Sequence, residues 1–311
     1  MVNYRCNAAC RHCLYACSPN RREGYVSQRI IQHISRTLIS GRIGSVHLGG
    51  GEPFLDFQGL IMVIRELADA GVRVDYIETN AFWAKDKSCG ERLAILKREG
   101  VEALCISIDP FHAEYVPWEY PLDLARFCDS LGLGYFLWKR EFLHDLKKLD
   151  GKTPHSREEI EVNLSSDYVR ETAGAYGIRM GGRAINIEEE YGHLRPAAEL
   201  LDAGSCKNLL STDHFHVDME GFFIPPGCTG LRLPLAQTIA GIENGRYPVF
   251  EALYLGGIAA LYQLALQWGF SENEKGYPSK CNFCFHIRKH LAFYGFPELD
   301  EDFYKEAAKY Y

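Results

Sequence analysis

Over about the first 190 residues, the chain switches repeatedly between two hydrophobic periods. Short apolar runs rich in β-branched residues are typical of strands, and they occur at residues 45–50, 72–80, 101–109, 134–140 and 178–187. The stretches between them carry apolar residues every three or four positions, as amphipathic helices do. Because strand and helix alternate about six times, the pattern predicts successive βα units around a parallel sheet, which is an α/β fold.

One of these helices has both ends marked in the sequence. Ser27 is a predicted N-cap, Ile30, Ile34 and Leu38 recur every four residues, and Gly41 is a stop signal. We therefore predict a helix between Ser27 and Gly41.

Polar segments follow three successive predicted strands, and the first of them is rich in glycine. They read GGGEPF, ETNAFW and SIDPFH. Parallel sheets gather their ligand sites where the strands end and the βα loops begin. The three segments therefore predict one functional face at the carboxyl ends of the strands.

The pattern changes after about residue 200. The following segment alternates like a hairpin around residues 220–221, and a long helical stretch covers residues 248–269. We therefore predict a core domain at residues 1–200 and a smaller module at residues 201–311. Within the core, residues 144–160 are charged and contain glycine and proline, which predicts a surface excursion.

Composition narrows the classes of partner. The chain has 311 residues, 41 acidic against 34 basic, and a net charge of −7. No basic block is present, which disfavours nucleic-acid binding. The amino terminus lacks the regions of a signal peptide, and the longest apolar stretch is interrupted by Gln263 and Gln267, so we expect it to be too short to span a membrane. These features predict a cytoplasmic protein that binds neither membranes nor nucleic acids.

Eleven cysteines in such a chain indicate metal or redox chemistry, because disulfides are rare in a reducing compartment. They fall into two sets and a remainder. The first set is Cys6, Cys10, Cys13 and, less strongly, Cys17; the second is Cys206, Cys228, Cys281 and Cys284. The three others, Cys89, Cys105 and Cys128, are predicted to be small buried apolar residues.

The spacing of the first set suits a site with an open position. Zinc and a [4Fe–4S] cluster each take four ligands, so three thiolates from Cys6, Cys10 and Cys13 would leave one iron of a cluster for another molecule. Cys17 would close the site if it were a fourth ligand. A buried thiol outside the site is the reading we adopt for it.

The motif Cys6-x3-Cys10-x2-Cys13 near the start of a βα chain resembles the signature of the radical S-adenosylmethionine (radical SAM) superfamily. Residues Gly50, Gly51, Glu52 and Pro53 resemble its GGEP loop. The glycines allow a ligand to approach the backbone, and Glu52 offers acceptors for a cationic amino group. The resemblance covers about residues 1–190, and implies a partial (βα)6 TIM-like barrel. Since five residues precede Cys6, we also expect a very short first strand and no amino-terminal peptide-recognition domain.

Weaker matches extend this resemblance along the chain. Thr79 and Asn80 resemble the polar end of the family's third strand, and Ser107 and Asp109 resemble ribose or carboxylate contacts on the fourth. Arg183 lies in a GRA segment and offers a partner for a ligand carboxylate. The resemblance implies that these residues bind S-adenosylmethionine.

The resemblance also implies an activity. A [4Fe–4S] cluster on the first three cysteines would bind S-adenosylmethionine and cleave it reductively to a 5′-deoxyadenosyl radical, which abstracts hydrogen from a peptide or small-metabolite substrate. The electron would come from a low-potential donor of the flavodoxin or ferredoxin type. An iron–sulfur electron-transfer protein that leaves S-adenosylmethionine intact is the alternative function, and a zinc-stapled binding module is a third.

The second set of cysteines resembles an auxiliary-cluster extension of the SPASM or Twitch type. Four cysteines fit the shorter Twitch form with one auxiliary [4Fe–4S] cluster, while structural zinc is the alternative. Because Cys281 and Cys284 directly precede a predicted helix, we expect its amino terminus to favour their thiolates. His214, His216 and Asp218 alternate along one strand, so they would form either a polar hairpin face or a two-His-one-carboxylate metal site.

Overall fold

The computed structural model describes residues 1–178, 181–240 and 245–309, apart from the side chains of residues 239 and 240. The chain divides into two compact units. The first consists of residues 1–10, 17–177 and 219–221, and the second of residues 11–16, 178–218 and 222–311. The predicted domain boundary after residue 200 stays a prediction.

The first unit is built on a parallel sheet with the order β1-β2-β3-β4. Its strands are β1 (Ser45–Leu48), β2 (Arg73–Thr79), β3 (Ala103–Ser107) and β4 (Gly134–Trp138). The helices of this unit are α1 (Gln28–Ser40), α2 (Phe57–Asp69), α3 (Cys89–Arg98), α4 (Pro110–Ala113), α5 (Glu119–Leu131), α6 (Leu143–Leu146), α7 (Arg157–Asn163) and α8 (Tyr168–Tyr176). Short 3-10 helices occupy Pro53–Asp56, Phe82–Lys85 and Arg140–Phe142. The predicted α/β class with a parallel sheet is confirmed.

The chain's first residues are hydrogen-bonded to the loop after β1. Val2 donates its backbone N–H to the carbonyl of Gly49, and the N–H groups of Gly51 and Glu52 donate to the carbonyls of Asn3 and Arg5. This segment lies where the sequence predicts a very short first strand, but it does not form a regular strand.

The helix after Ser27 forms as predicted. The Ser27 side chain accepts a hydrogen bond from the N–H of Ile30, and Gly41 caps the carboxyl end of α1. Ile34 and Leu38 are buried, so the four-residue period faces the core.

Two predictions about local structure in the core were wrong. Residues 178–187 were predicted to be a strand, but α9 (Ala184–Tyr191) is a helix; residues 179 and 180 lie outside the described residues. Gly182 adopts a left-handed φ of +56°, which interrupts any strand there. Residues 144–160 are also more than a surface excursion, because Leu146, Leu149 and Ile160 join a buried apolar cluster.

The second unit contains a small antiparallel sheet and a set of helices. The sheet has the order β5 (His216–Val217), β6 (Phe222–Ile224) and β7 (Leu233–Pro234), which confirms the predicted hairpin. The helices after α9 are α10 (Leu235–Ala240), α11 (Pro248–Glu251), α12 (Gly257–Gln267), α13 (Lys280–Leu291) and α14 (Glu301–Ala307). A π-helix, Ala252–Gly256, joins α11 to α12, and 3-10 helices occupy Ala197–Leu200, Lys207–Leu210 and Ala292–Tyr294.

The expectation that the longest apolar stretch is too short to span a membrane was wrong. The helical run Pro248–Gln267 has 20 residues and a mean hydropathy of 1.5, which by length and composition alone is enough to cross a membrane. Glutamines are compatible with helix, so Gln263 and Gln267 do not end it. Leu253 and Leu261 of this run are buried, and the ring of Tyr262 lies 5.5 Å from that of Phe283 in α13. One face of the run therefore packs into the core of the second unit, while Leu255 and Leu266 of the run are exposed.

A matched pair of valines tests the packing of the first unit. Val63 of α2 is fully buried, whereas Val162 of α7 is 85% exposed. Removing two buried methyl groups should lower the free energy of unfolding by about 2 kcal/mol in Val63→Ala. Val162→Ala should stay within about 0.5 kcal/mol of the parent. Urea unfolding followed by circular dichroism measures both; equal losses in the two variants would contradict this packing.

Candidate functional site

The loop after β1 is closely packed against the amino-terminal segment. A Cβ atom on Gly51 would lie 2.0 Å from the carbonyl oxygen of Arg5, and one on Gly50 would lie 2.7 Å from that of Asn3. The side chain of Asn3 accepts a hydrogen bond from the N–H of Gly51 and donates to the carbonyl of Glu52. The glycines are therefore needed for the chain's own first residues, a reason that the sequence analysis did not give.

Glu52 is fully buried where this loop meets the end of β2. One carboxylate oxygen accepts hydrogen bonds from the hydroxyl of Thr79 (2.9 Å) and the N–H of Phe54 (3.1 Å). The other accepts from the N–H of Asn80 (2.8 Å). Thr79 in turn accepts a bond from the indole nitrogen of Trp83, which is also fully buried. Three predicted site residues, Glu52, Thr79 and Asn80, are thus directly bonded to one another.

Burial dominates the electrostatics of this carboxyl group. It raises the pKa of Glu52 to about 7, against the lowering effect of the hydrogen bonds from Asn80, Phe54 and Thr79 and of the charge on His112. A further cation brought to Glu52 would lower that pKa and favour its charged form.

Asn80 connects this network to the first cysteine. Its amide nitrogen donates to the side-chain oxygen of Asn7 at 2.9 Å and lies 3.7 Å from the sulfur of Cys6. The N–H of Ala8 also points at that sulfur, at 3.4 Å. Donors of this kind stabilise a thiolate, which is the form that binds iron or zinc.

The remaining cysteines of the first set differ in burial. Cys10 and Cys17 are buried, and Cys13 is half-buried. Cys6 and Cys10 belong to the first compact unit, whereas Cys13 belongs to the second. The boundary between the two units therefore falls between Cys10 and Cys13 of the three-cysteine motif.

Asp109 is a buried residue at the start of α4. Its carboxylate caps the helix by accepting from the N–H of His112, and its second oxygen lies 2.6 Å from Nδ1 of the same histidine. Ser107, the last residue of β3, is half-buried. His112 was not predicted as a site residue, although its position three residues after Asp109 places it within reach.

In the second unit, the GRA segment lies against the cysteine loop. The N–H of Arg183 donates to the carbonyl of Cys13 at 3.1 Å. A Cβ atom on Gly182 would lie 2.4 Å from the carbonyl oxygens of Cys13 and Leu14. Arg183 itself is fully buried. The segment therefore supports the backbone at the third cysteine of the motif.

The second set of cysteines comes together within the second unit, and we refer to Cys206, Cys228, Cys281 and Cys284 as the cysteine tetrad. Each of the other three thiols acts electrostatically on Cys228, and Cys206 acts on both Cys281 and Cys284. The amino group of Lys280 also lies 3.6 Å from the sulfur of Cys206. Residues more than 70 positions apart in sequence are therefore neighbours in space.

Two expectations about the tetrad need correction. Cys281 and Cys284 lie inside α13, which begins at Lys280, and do not precede the helix. Burial raises the pKa of Cys228 to about 12, and it also raises the pKa of Cys281 and Cys284, despite the lowering effect of Arg288. Desolvation is the largest cause of these three shifts.

Arg288 is a residue near the tetrad that the sequence analysis missed. It is 4% exposed, and its positive charge acts on Cys284. Burial by itself would lower its pKa, but the charges of Tyr304, Cys284 and Cys228 raise it. Its spacing was a usable signal, because Cys281, Cys284 and Arg288 are three and four residues apart and share one helix face.

Of the three polar residues that alternate along this strand, Asp218 has a structural role. The rings of His214 and His216 lie 5.2 Å apart, and His216 packs edge-on against Tyr15 at 5.3 Å. Asp218 is buried and accepts a bond from the N–H of Phe222 within the hairpin. The choice between a polar hairpin face and a metal site stays open for the two histidines.

The three isolated cysteines, Cys89, Cys105 and Cys128, are buried in the first unit, as predicted. Burial raises the pKa of all three thiols, to about 11 for Cys89 and about 12 for Cys128.

Comparison with known proteins bears on the amino-terminal part of the chain. Residues 2–129 match the family model of the Radical SAM superfamily. The chain carries a radical SAM domain. This match confirms the radical SAM resemblance of the cysteine motif over that part of the chain. The matched residues contain all three cysteines of that motif and the Glu52 network.

One relative is similar to the radical SAM domain in sequence. It is the "Putative peptide biosynthesis protein YydG" of Bacillus subtilis (strain 168), which is 29% identical over 116 residues. The match covers 37% of this chain and 36% of that protein, so it spans about a third of either.

Solved structures resemble the chain over most of its length. anSMEcpe with bound AdoMet and Kp18Cys peptide has a TM-score of 0.45 and 12% identity, over 93% of this chain and 94% of that one. Streptococcus suis SuiB bound to S-adenosylmethionine has a TM-score of 0.42 and 14% identity, over 89% of this chain and 75% of that one.

The raised pKa of Glu52 predicts a pH-dependent stability. An acid whose folded pKa lies above its unfolded value stabilises the fold fully below the unfolded pKa of 4.5, and this contribution is lost as the pH rises through about 7. The contribution should therefore fall by about 2 kcal/mol between pH 5 and pH 8. In Glu52→Gln this part of the pH dependence should disappear.

Urea unfolding of the iron-free protein at both pH values measures the effect. Glu91→Gln, which changes an exposed glutamate of α3, is the matched control and should keep the parent's pH dependence. A Glu52→Gln variant with the parent's pH dependence would show that the buried carboxyl does not titrate in this range.

Proposed function

We propose that the chain is a radical SAM enzyme, which binds a [4Fe–4S] cluster through Cys6, Cys10 and Cys13 and cleaves S-adenosylmethionine to modify a peptide. The observation that carries the proposal is the three-cysteine motif inside the matched radical SAM domain, with a thiolate-stabilising shell around Cys6. When bound, the cluster and S-adenosylmethionine would supply a 5′-deoxyadenosyl radical that abstracts hydrogen from the substrate.

The donor set fits the cluster. Three thiolates leave one coordination position for S-adenosylmethionine. The amide of Asn80 and the N–H of Ala8 point at the sulfur of Cys6, and such donors stabilise a thiolate ligand and tune the metal that it holds. Asn80 therefore has the role of orienting and stabilising the first ligand.

Glu52 is the residue that we assign to the cationic amino group of S-adenosylmethionine, together with Gly50, Gly51 and Pro53 of the same loop. Its carboxyl group is already fixed by Thr79 and Asn80, so it loses little conformational freedom when a ligand binds. A buried carboxyl with a pKa of about 7 gains from a cationic neighbour. Ser107, Asp109 and Arg183 are further proposed contacts of the same ligand.

A peptide is the substrate class that we favour over a small metabolite. The support is the similarity to a relative described as a peptide biosynthesis protein, over 116 residues of the radical SAM domain. The absence of a basic block in the sequence continues to disfavour nucleic acids. A low-potential donor of the flavodoxin or ferredoxin type would supply the electron.

The cysteine tetrad is the proposed site of an auxiliary [4Fe–4S] cluster. Four sulfur ligands from three separate segments match the number that such a cluster takes, and Arg288 and Lys280 supply positive charge beside them. Structural zinc also takes four thiolates and is the competing occupant.

Cleavage of S-adenosylmethionine tests the activity without a known substrate. Protein reconstituted under anaerobic conditions should form 5′-deoxyadenosine when S-adenosylmethionine and dithionite are added, as measured by mass spectrometry. The Cys6→Ala/Cys10→Ala/Cys13→Ala variant should form none. A matched control, Cys128→Ala, removes a buried thiol from the same unit and should retain the activity. Protein that contains its cluster and forms no 5′-deoxyadenosine, with or without a peptide library, would favour an electron-transfer function.

Metal content tests the number and kind of clusters. Reconstituted protein should contain about eight irons per chain, and the triple cysteine variant about four. Cys17→Ala should keep about eight, because Cys17 is not a proposed ligand. One zinc with about four irons would instead assign zinc to the tetrad.

A further inference from the structure

We infer that Arg288 is a positioning residue that sets the reduction potential of the cluster at the cysteine tetrad. The inference rests on the auxiliary cluster proposed above. It concerns one buried guanidinium, its partners within the second unit, and the charge that the four thiolates would bring beside it.

Helix α13 presents this residue to the tetrad. Cys281, Cys284 and Arg288 follow one another at intervals of three and four residues, so their side chains lie on the same helix face. The other side of the helix holds different partners: Asn282 and His286 both bond the carboxylate of Glu189 in α9. The orientation of α13 is therefore fixed from both sides.

Two hydrogen bonds hold the guanidinium in place. One of its terminal nitrogens, Nη1, donates to the carbonyl of Thr229 at 2.9 Å and to the hydroxyl of Tyr304 at 2.8 Å, while its positive charge acts on Cys284. Thr229 directly follows Cys228, so Arg288 connects two of the three cysteine segments. A planar group bonded in this way keeps one orientation, which a lysine amino group would not.

Close packing between the loop after Cys228 and helix α14 makes this arrangement rigid. A Cβ atom on Gly230 would lie 2.4 Å from the ring of Phe303 and 2.7 Å from that of Tyr304. Gly230 also has a φ of +81°, which a side chain rarely adopts. Tyr304 is fully buried and is thus a rigid support for Arg288.

A buried arginine needs an anionic partner, because an unpaired charge inside a protein is strongly destabilising. With a cluster bound, the sulfurs of Cys228 and Cys284 are thiolates and the site is anionic. The fixed positive charge then stabilises the site, and it stabilises the reduced state most because that state has one more negative charge.

Lys280 differs from Arg288 in this respect. Its amino group approaches Cys206 at the more exposed side of the tetrad, where Cys281 is exposed. Solvent and salt screen a charge in that position. Arg288 should therefore have the larger effect on the potential.

The experiment uses the Cys6→Ala/Cys10→Ala/Cys13→Ala protein, in which the tetrad holds the remaining iron. Redox titration followed by electron paramagnetic resonance gives the midpoint potential. We expect Arg288→Met to shift it to more negative values, and Arg288→Lys to shift it in the same direction by a smaller amount. The matched control is Lys289→Met, which removes the same charge from the next position of α13 and should leave the potential unchanged.

The outcomes separate this inference from the function on which it rests. If the triple variant contains zinc or no metal, the auxiliary cluster is wrong and the role of Arg288 is wrong with it. If it contains about four irons and neither Arg288 variant changes the potential, the inference alone is wrong. Should Arg288→Met fail to retain iron, Arg288→Lys decides, because it keeps the charge but loses the fixed geometry: a parent-like potential would then overturn the inference.

Discussion

The buried carboxylate of Glu52 is the interaction on which the amino-terminal site depends. It joins the loop after β1 to the end of β2 through Thr79 and Asn80, while the backbone of the same loop is bonded to Asn3 and Arg5. Asn80 then extends the network to Cys6. The strand ends, the glycine loop and the first cysteine are therefore held as one bonded assembly. Glu52 lies at the centre of this assembly, where removing its charged form from water costs free energy. That cost raises the pKa of Glu52.

The burial of the Glu52 carboxyl group also bears on function. Perturbed titratable groups collect at sites where a ligand or a reaction needs them, and a buried carboxyl is prepared for a cation. The hydrogen bonds to Glu52 fix its position, and the surrounding apolar residues, such as Trp83 and Phe54, exclude water from it. The same logic applies in the second unit with the charges reversed, where buried Arg288 lies beside thiols that become anionic when they hold metal.

The sequence predicted the parts of the site that are local along the chain. The strand and helix periods located β1 to β4, and the spacing of Cys6, Cys10 and Cys13 indicated the radical SAM domain. It failed at residues 178–187, where apolar β-branched residues favour a strand but Gly182 turns the chain against the carbonyls of Cys13 and Leu14. It also placed residues 144–160 at the surface, because charge along the segment concealed the few side chains, Leu146, Leu149 and Ile160, that reach the core.

By itself, then, the sequence determined the α/β class, the parallel sheet and the cysteine motif, because periodicity and short spacings are properties of neighbouring residues. The tertiary structure alone decided that Gly51 makes room for Arg5, that Cys206 and Cys228 meet Cys281 and Cys284, and that Arg288 is buried beside them. These features join residues that are far apart along the chain. Their physical cause is close packing, which brings distant residues together and removes them from water. A local sequence pattern does not indicate which distant residues will be in contact.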